Sequence, residues 1–320
     1  MANPHFHQIL SEGVQRFIID HENEDERAFV LKHKEILGLP SAEIARQIVG
    51  RKKAKTKLPL YYNGQNIIYP HRLNLEQCSS EKTARFKAGL VKGVLAADLT
   101  GGFGIDSYFL SKNFDKVVYM EPDGDLLETA KHNHLALGAS NLEHHHTDAT
   151  GFLSGNTAHF DLLYLDPSRR SNADRKVFKF SDCAPDVVSL LPALFKKSNS
   201  ILVKASPLID IQQGLNELGL VSKVFVIGFD NECKEVFFLI ANSEREPIIE
   251  VVDLSDGDEK PKPFSFTRTE ENHSAVSLGE PSSLLYEPSA MMLKAGAFKL
   301  LANRFDLKKV APNTHLYTAG

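Results

Sequence analysis

The sequence is poor in cysteine and has no long apolar segment. Its three cysteines, Cys78, Cys183 and Cys233, are far apart, and none forms a Cys-x-x-Cys pair. This spacing argues against a disulfide framework or a zinc knuckle and fits a reducing compartment. No apolar run is long enough to span a bilayer, and the N-terminus lacks the basic-then-apolar pattern of a signal peptide. We therefore expect a cytoplasmic protein with no membrane segment and no metal site.

An excess of basic residues is also missing. The chain has 37 lysines and arginines against 41 aspartates and glutamates, which gives a net charge of −4. This balance excludes a protein coated with basic surface but allows a local basic groove, because nucleic acid responds to the local field. The 320 residues, 42% of them hydrophobic, are enough for one medium-sized domain with smaller attachments.

The first 75 residues have the apolar spacing of helices. One apolar stripe extends from Phe6 to Ile18, and a second helix is predicted through Phe29 and Ile36, ending before Pro40. A third helix is predicted from Ser41 to Gly50, followed by a basic stretch from Arg51 to Lys57 and a short strand or hairpin between Tyr61 and Tyr69. Beyond residue 75, a further helix is predicted from Glu81 to Leu90.

From Val91 onward, short apolar strands alternate with helices, which is typical of a parallel sheet built from βαβ units. Two later strands, 221–229 and 235–241, are joined by a turn too short for a crossover helix, so they should pair antiparallel. The predicted fold is α/β, with a Rossmann-like sheet that is parallel except for this terminal hairpin. The parallel strands are predicted at Val94–Asp98, Val117–Glu121, Leu142–His146, Leu162–Asp166 and Ile201–Lys204, with helices at Asp123–Leu137 and Asp186–Lys197.

The C-terminal part has a different composition. Residues 252–281 are polar, with acidic residues and prolines, and are predicted to form a linker or a loop-rich connection. Residues 284–320 form a small α+β unit with one helix, 290–304. The predicted domains are an N-terminal helical domain (1–75), a cofactor-binding domain (76–245), and a linker with the small C-terminal unit (246–320).

A glycine-rich turn, ADLTGGFGID over residues 97–106, follows the first strand of the predicted sheet and precedes a helix at 107–112. Glycines let the backbone turn sharply and approach a ligand, and a helix N-terminus offers free N–H groups. A tight strand–helix turn without a ligand is the alternative. The cofactor contacts predicted in this turn are Asp98, Thr100, Gly101, Gly102, Gly104 and Asp106.

Acidic residues also follow the next two strands. Glu121, beside Pro122, lies about twenty residues after the glycines, where a carboxylate can accept both ribose hydroxyls of an adenosine cofactor. Asp148, beside Ala149, could bond an adenine amino group. A solvated strand end and a helix cap are the respective alternatives. The ribose contact fits NAD too, but Ser107 stands where the NAD fingerprint has glycine or alanine. S-adenosyl-L-methionine is therefore the expected cofactor.

A buried strand then delivers Asp166-Pro167 to the carboxyl edge of the sheet, where such folds bind ligands. In their order and spacing, these acidic motifs resemble those of class I S-adenosylmethionine-dependent methyltransferases, over about residues 79–241. Residues 76–81 and 98–106 are similar to bacterial members that carry a C-terminal THUMP-like domain. Residues 286–318 resemble the small ferredoxin-like unit that precedes that domain. The chain stops where that family continues, so it is either a piece of a longer protein or a shortened member.

The resemblance implies methyl transfer to RNA, either tRNA or rRNA. In related nitrogen methyltransferases the Asp-Pro corner holds an exocyclic amine, which implies catalytic roles for Asp166 and Pro167. Those enzymes place an aromatic ring where Arg169 stands here, which argues against adenine N6. The tRNA uracil-5 methyltransferases use a cysteine nucleophile where this chain has Ala205. The expected acceptor is a nitrogen or oxygen atom, with Asp166 or Lys204 managing its proton.

Basic and histidine clusters have more than one interpretation. Basic residues at 51–57 and after Asp166 either contact phosphates or form surface ion pairs; we expect phosphate contact for the second group and leave the first open. The run 144–146 of three histidines is not expected to bind metal, because alternate strand side chains point to opposite faces. His132 and His134 are expected on a helix surface. The predicted substrate-binding residues are Ser168, Arg169, Arg170 and Lys204.

Three functions are compatible with these features, and for a methyltransferase a protein or small-molecule acceptor also stays open. An S-adenosylmethionine-dependent RNA methyltransferase is favoured. An RNA-binding adaptor that has kept the fold and lost catalysis is the second, and the intact acidic motifs count against it. A nicotinamide-dependent oxidoreductase is the third. The sequence does not indicate an oligomeric state.

Overall fold

The computed structural model describes residues 4–169, 179–241, 243, 245–255 and 262–319, apart from the side chains of Ala28 and Arg169. The chain divides into two compact units, Met1–Tyr164 and Leu165–Gly320. Within the described residues, every helix is too short or too polar to cross a membrane.

The first unit combines a helical N-terminal part with parallel strands. Its helices are α1 (Phe6–Ile9), α2 (Glu12–Asp20), α3 (Glu26–Lys32), α4 (Ser41–Lys57), α5 (Pro59–Asn63), α6 (Arg72–Gln77), α7 (Glu81–Ala88), α8 (Ile105–Leu110), α9 (Gly124–Ala136) and α10 (Ala149–Gly155). Its strands are β1 (Glu35–Ile36), β2 (Leu39–Pro40), β3 (Gly93–Asp98), β4 (Phe114–Met120), β5 (Leu142–His145) and β6 (Leu162–Leu165).

Two of the predicted N-terminal helices have the wrong ends. Helix α3 ends at Lys32, and Ile36 instead lies in the small β1–β2 hairpin. Helix α4 continues past Gly50 to Lys57, so the basic stretch is helical. A Cβ on Gly50 would lie 2.2 Å from the Cβ of Tyr69. This glycine therefore allows close packing against Tyr69 rather than ending the helix.

The segment predicted as a strand or hairpin over 61–69 is neither. It contains helix α5, a turn, and then a stretch outside helices and strands whose backbone is bonded by side-chain amides. Asn133 of α9 accepts from Ile68 N (3.0 Å) and donates to Ile68 O (2.8 Å), and Gln47 of α4 does the same at Tyr69 (2.8 and 3.0 Å). These two buried amides replace the neighbouring strands that a hairpin would have supplied.

We expect Asn133→Ala to lower the free energy of unfolding by about 2–4 kcal/mol, because it leaves the buried N–H and C=O of Ile68 without their partner. Urea unfolding of the full chain measures this loss. Glu128→Ala, on the exposed side of the same helix, should change stability by less than about 0.5 kcal/mol. Equal losses in the two variants would contradict the role of Asn133.

The strands of the first unit confirm the predicted parallel sheet. Their order is β6-β3-β4-β5, and the neighbours pair parallel. Strand β3 lies in the middle, with Asp98 opposite Tyr119 on one side and Tyr164 on the other. The predicted helix after β4 is also confirmed: it is α9, capped by Asp123, which accepts from the N–H groups of residues 125 and 126.

The second unit is a mixed sheet with a small C-terminal part. Its helices are α11 (Val187–Phe195), α12 (Ile211–Leu218), α13 (Arg268–His273), α14 (Ala290–Ala295) and α15 (Phe298–Arg304), with a 3₁₀ turn at Phe180–Asp182. Its strands are β7 (Ser168–Arg169), β8 (Cys183–Ala184), β9 (Ser200–Ala205), β10 (Val221–Phe229), β11 (Glu232–Ala241), β12 (Ile248–Asp253), β13 (Phe264–Phe266), β14 (Leu284–Tyr286), β15 (Lys308–Lys309) and β16 (Tyr317–Ala319).

The antiparallel hairpin is confirmed, but the linker prediction is wrong. Strands β10 and β11 pair antiparallel around Asp230 and Asn231, which both have positive φ, as the tight hairpin turn requires. Beyond them the sheet continues: β12 pairs parallel to β10, and β13 pairs antiparallel to β12. Helix α13 then begins at a capping box formed by Thr267 and Glu270.

The C-terminal part is a three-stranded antiparallel sheet in the order β14-β16-β15 with two short helices. The single helix predicted over 290–304 is wrong, because Gly296 has a left-handed conformation that ends α14 before α15 begins. The predicted fold class is nevertheless confirmed: a Rossmann-like α/β fold with N-terminal helices and a small C-terminal α+β unit.

Candidate functional site

The glycine-rich turn between β3 and α8 is tightly packed on one side and open on the other. A Cβ on Gly101 would lie 2.2 Å from Cε2 of Tyr119 and 2.7 Å from the carbonyl oxygen of Met120. Among the residues that the structure describes, a Cβ on Gly102 would meet only the carbonyl oxygen of Thr100, at 3.8 Å. The turn is therefore pressed against β4 at Gly101, while its backbone at Gly102 has space for another molecule.

Asp98 forms side-chain hydrogen bonds to both sides of this turn. Its side chain is buried and accepts hydrogen bonds from the N–H of Thr100 (3.0 Å) and the hydroxyl of Ser107 (2.5 Å). Thr100 begins the turn and Ser107 lies in the first turn of α8. The carboxylate thus ties the end of β3 to both sides of the glycine segment.

Glu121, at the end of β4, lies against the same turn. It is buried, and its two carboxylate oxygens accept from the N–H of Gly102 (2.8 Å) and of Asp123 (2.8 Å). Burial raises the pKa of Glu121, partly offset by these two backbone hydrogen bonds. The structure thus brings together the glycine turn and the acid that follows the second strand, as the sequence predicted.

Asp106 faces protein groups instead. Its carboxylate lies 2.7 Å from the ammonium of Lys87, and it accepts from the hydroxyls of Ser79 (2.8 Å) and Tyr164 (2.9 Å). Lys87 is 2% exposed, so this ion pair is almost fully removed from water. The cluster fixes the start of α8 to α7 and to β6, beneath the glycine turn.

The acid after β5 is a helix cap. Asp148 is exposed and accepts from Gly151 N (2.7 Å), at the start of α10, while Ala149 is buried. Pro122 is exposed, and its carbonyl oxygen lies 2.9 Å from Nε2 of His146. Capping accounts for one oxygen of Asp148 and leaves its exposed carboxylate accessible.

His134 contacts the glycine turn, and the sequence analysis did not predict this role. It is fully buried, so its expected place on the helix surface is wrong. Its Nε2 lies 2.8 Å from the carbonyl oxygen of Gly104, and its Nδ1 lies 2.9 Å from Nε2 of His144. Burial lowers the pKa of His134 to about 3 and that of His144 to about 4, so both rings are neutral at physiological pH.

The second unit contains the Asp-Pro corner. Asp166 is partly exposed and Pro167 is buried. One oxygen of Asp166 accepts from the ammonium of Lys204 at 2.7 Å, and Glu235 lies 3.9 Å from that ammonium. The exposed Ser168 begins β7, which pairs with β8. The side chain of Arg169, all of Arg170, and the basic residues up to 178 lie outside the described residues.

The basic stretch at 51–57 is largely engaged in intramolecular contacts. Arg51 pairs with Glu22 (2.7 Å), and Lys53 pairs with Glu76 (2.5 Å). Lys57 donates to the carbonyl oxygens of residues 75 and 76. Of the two interpretations left open for this stretch, these contacts favour ion pairing over phosphate contact.

Comparisons with known proteins identify a relative over the whole chain. A protein from Porphyromonas gingivalis W83, provisionally assigned as a methyltransferase, is 31% identical; the alignment covers 100% of this chain and 80% of that one, with a TM-score of 0.84. A family model described as a ferredoxin-like domain matches residues 284–320, in agreement with the predicted resemblance. A search of curated proteins gives no match.

Two further solved structures are similar to half of the chain. A Streptococcus mutans protein assigned as a methyltransferase, in complex with SAH, is 12% identical over 50% of this chain and 96% of its own, with a TM-score of 0.36. An rRNA methylase from Streptococcus thermophilus is 14% identical over 50% and 95%, with a TM-score of 0.36.

Proposed function

Because the chain belongs to the same methyltransferase family as the Porphyromonas gingivalis protein, we propose that it transfers a methyl group from S-adenosyl-L-methionine to a nitrogen or oxygen atom of RNA. The observation that carries this proposal is the glycine turn with Glu121 bonded to its backbone. S-adenosyl-L-methionine supplies a methyl group activated on a sulfonium sulfur. The task of the protein is to align the donor and the acceptor and to manage the acceptor proton.

The residues of the first unit fit this donor. The free space beside Gly102 allows a ligand to approach the backbone of the turn. Each oxygen of Glu121 uses one lone pair on a backbone N–H, so each retains capacity to accept a ribose hydroxyl. We assign donor binding to the residues predicted for it: Asp98, Thr100, Gly101, Gly102, Gly104, Asp106, Glu121, Pro122, Asp148 and Ala149. Within that set, Asp98 and Asp106 act by holding the turn in shape.

We assign the acceptor side to Asp166 and Pro167, with Ser168, Arg169, Arg170 and Lys204. The partly exposed carboxylate of Asp166 is suited to accept a hydrogen bond from an amine or hydroxyl and then its proton. The ammonium of Lys204 lies near both Asp166 and Glu235, and as a hydrogen-bond donor it holds Asp166 in place. This favours Asp166 over Lys204 as the proton acceptor.

RNA as the acceptor rests on the sequence. The basic residues that follow Asp166 lie next to the acceptor corner along the chain, where phosphate contacts would position a nucleotide. The resemblance to RNA-modifying methyltransferases points the same way. We also propose that the chain has three domains, at 1–75, 76–245 and 246–320. The apolar core shared by the N-terminal helices supports the first of them.

Calorimetry with S-adenosylhomocysteine tests the donor assignment directly. We expect one molecule bound per chain; absence of binding would favour the RNA-binding adaptor, and binding of NADH in its place would favour the oxidoreductase. Mass spectrometry of nucleosides from cells with and without the gene tests the acceptor. We expect one methylated nucleoside to disappear, and an unchanged set would exclude RNA.

A further inference from the structure

A buried histidine, His134, and a half-buried one, His144, lie directly behind the glycine turn. His134, on α9, contacts the carbonyl oxygen of Gly104 through Nε2, and His144, on β5, contacts Nδ1 of His134. The His134 ring packs between Tyr108 and Tyr119, with ring centroids 6.4 and 5.6 Å away. Helix α9 and strand β5 are thus both linked to the glycine turn through the imidazole of His134.

The chemistry of these contacts defines the position of each proton. The carbonyl oxygen of Gly104 can only accept, so Nε2 of His134 carries a hydrogen. A neutral imidazole has one N–H, so Nδ1 of His134 is then an acceptor. Nε2 of His144 must therefore donate to it. The second histidine fixes the tautomer of the first, as partners of metal-bound histidines do elsewhere.

We infer that His134 is a positioning residue for the donor site: it holds the glycine turn through the carbonyl oxygen of Gly104 and is itself held in the required tautomer by His144. The inference rests on the proposed function, since it assigns His134 to the turn that holds S-adenosyl-L-methionine. His134 acts through Gly104 and need not touch the donor.

The backbone of the turn explains why this one bond matters. Gly104 has a φ of +82° and caps α8, and a Cβ there would lie 2.5 Å from Nε2 of His134. The N–H of Gly104 donates to the carbonyl oxygen of Gly101 (2.9 Å), so displacement of Gly104 would move the front of the turn. The hydroxyl of Tyr119 holds the carbonyl oxygen of Gly102 in the same way (2.5 Å). The turn is thus bonded from behind at two of its carbonyls.

Three variants of the full chain test this role by calorimetry with S-adenosylhomocysteine. His134→Phe keeps a ring but removes the donor to Gly104, and we expect binding to weaken roughly tenfold to a hundredfold. His134→Gln keeps an N–H at the ε position, so binding should stay within about threefold of the wild type. His132→Phe is the matched control on the same helix: its ring contacts the carbonyl oxygen of Asn66, away from the turn. We expect its binding to be unchanged.

A second measurement does not depend on His134→Phe folding. Nitrogen-15 NMR of the histidines in the wild-type chain, assigned by comparison with His134→Gln, should show His134 protonated at Nε2 only and uncharged down to pH 5, with or without S-adenosylhomocysteine. A His134 protonated at Nδ1, or one that titrates near pH 6.5, would overturn the inference.

The outcomes separate the inference from the proposed function. If the wild-type chain does not bind S-adenosylhomocysteine, both the proposed function and the role of His134 are wrong. Wild-type binding together with undiminished binding by His134→Phe leaves the proposed function in place and overturns only the inference. Equal weakening in His134→Phe and His134→Gln also overturns it, because the hydrogen bond would then not be the cause. If His134→Phe does not fold, the NMR tautomer and the rescue by His134→Gln decide.

Discussion

Gly101→Ala is expected to weaken the binding of S-adenosylhomocysteine at least hundredfold. The added methyl would overlap the ring of Tyr119, at 2.2 Å, and the backbone oxygen of Met120, at 2.7 Å. Tyr119 is fully buried and its hydroxyl holds the carbonyl oxygen of Gly102, so the ring cannot move without releasing the turn. The backbone must therefore shift, which displaces the proposed donor-binding surface. Calorimetry measures the affinity, and the melting temperature reports any loss of fold.

Two further glycines provide graded controls for Gly101→Ala. Gly102→Ala has room for its methyl group within the protein but a φ of +58°, so its folding should carry only the strain of a left-handed residue, about 1–2 kcal/mol, while the methyl group takes space that is assigned to the donor. Gly155→Ala, near the end of α10, has open space and no positive φ, and should bind like the wild type. Binding by Gly101→Ala within threefold of the wild type would show that the close contact with β4 does not shape the donor site.

The sequence was most informative where local pattern and tertiary environment agree. Strands β3, β4 and β6 are short, mainly apolar runs, and buried parallel strands require that composition whatever their neighbours are. The turn at 97–106 can be predicted from its own residues, because glycines and an acid at the end of a strand suit few other structures. Its proximity to Glu121 follows from the parallel order, since adjacent parallel strands end at the same edge.

The predictions that were wrong concern residues whose partners are distant in sequence. Gly50 has the local signature of a helix stop, but contact with Tyr69 gives it a packing role inside α4. Residues 68 and 69 have no strand partner, and amides of Gln47 and Asn133 bond their backbone instead. Strand β13 lies in the predicted linker, and its order depends on pairing with β12. Local propensity cannot report such partners.

His134 was missed for a related reason, although a signal was present. Leu127, Ala130 and His134 follow one another at spacings of three and four, which is the buried stripe of a helix, and all three are buried. The polar character of histidine predicts a surface position, whereas its place on this stripe predicts burial. Its partner, the carbonyl oxygen of Gly104, is a backbone atom thirty residues away that no side-chain pattern reveals.

Asp166→Asn is expected to lower kcat for methyl transfer by about 100- to 1000-fold while leaving the affinity for S-adenosylhomocysteine within threefold of the wild type. Asparagine keeps the shape of the side chain but replaces one carboxylate oxygen by an NH₂ group, so it cannot take a proton from the acceptor. The donor side is unaffected, because the residues assigned to it belong to the glycine turn and its neighbours. Lys204 retains Glu235 at 3.9 Å, so the variant should fold.

The measurement for Asp166→Asn uses RNA from cells that lack the gene, with methyl incorporation followed under saturating donor. Asp230→Asn is the matched control in the same unit: Asp230 is exposed in a left-handed conformation that asparagine adopts as readily, and it should keep wild-type kcat. A kcat for Asp166→Asn within a few-fold of the wild type would remove this carboxylate from the mechanism. Proton transfer would then have to go to solvent or to the RNA itself, and the Lys204 pair would be structural. A loss of kcat with intact donor binding would instead separate the two halves of the proposed reaction, with the donor held by the glycine turn and the acceptor proton taken at the Asp-Pro corner.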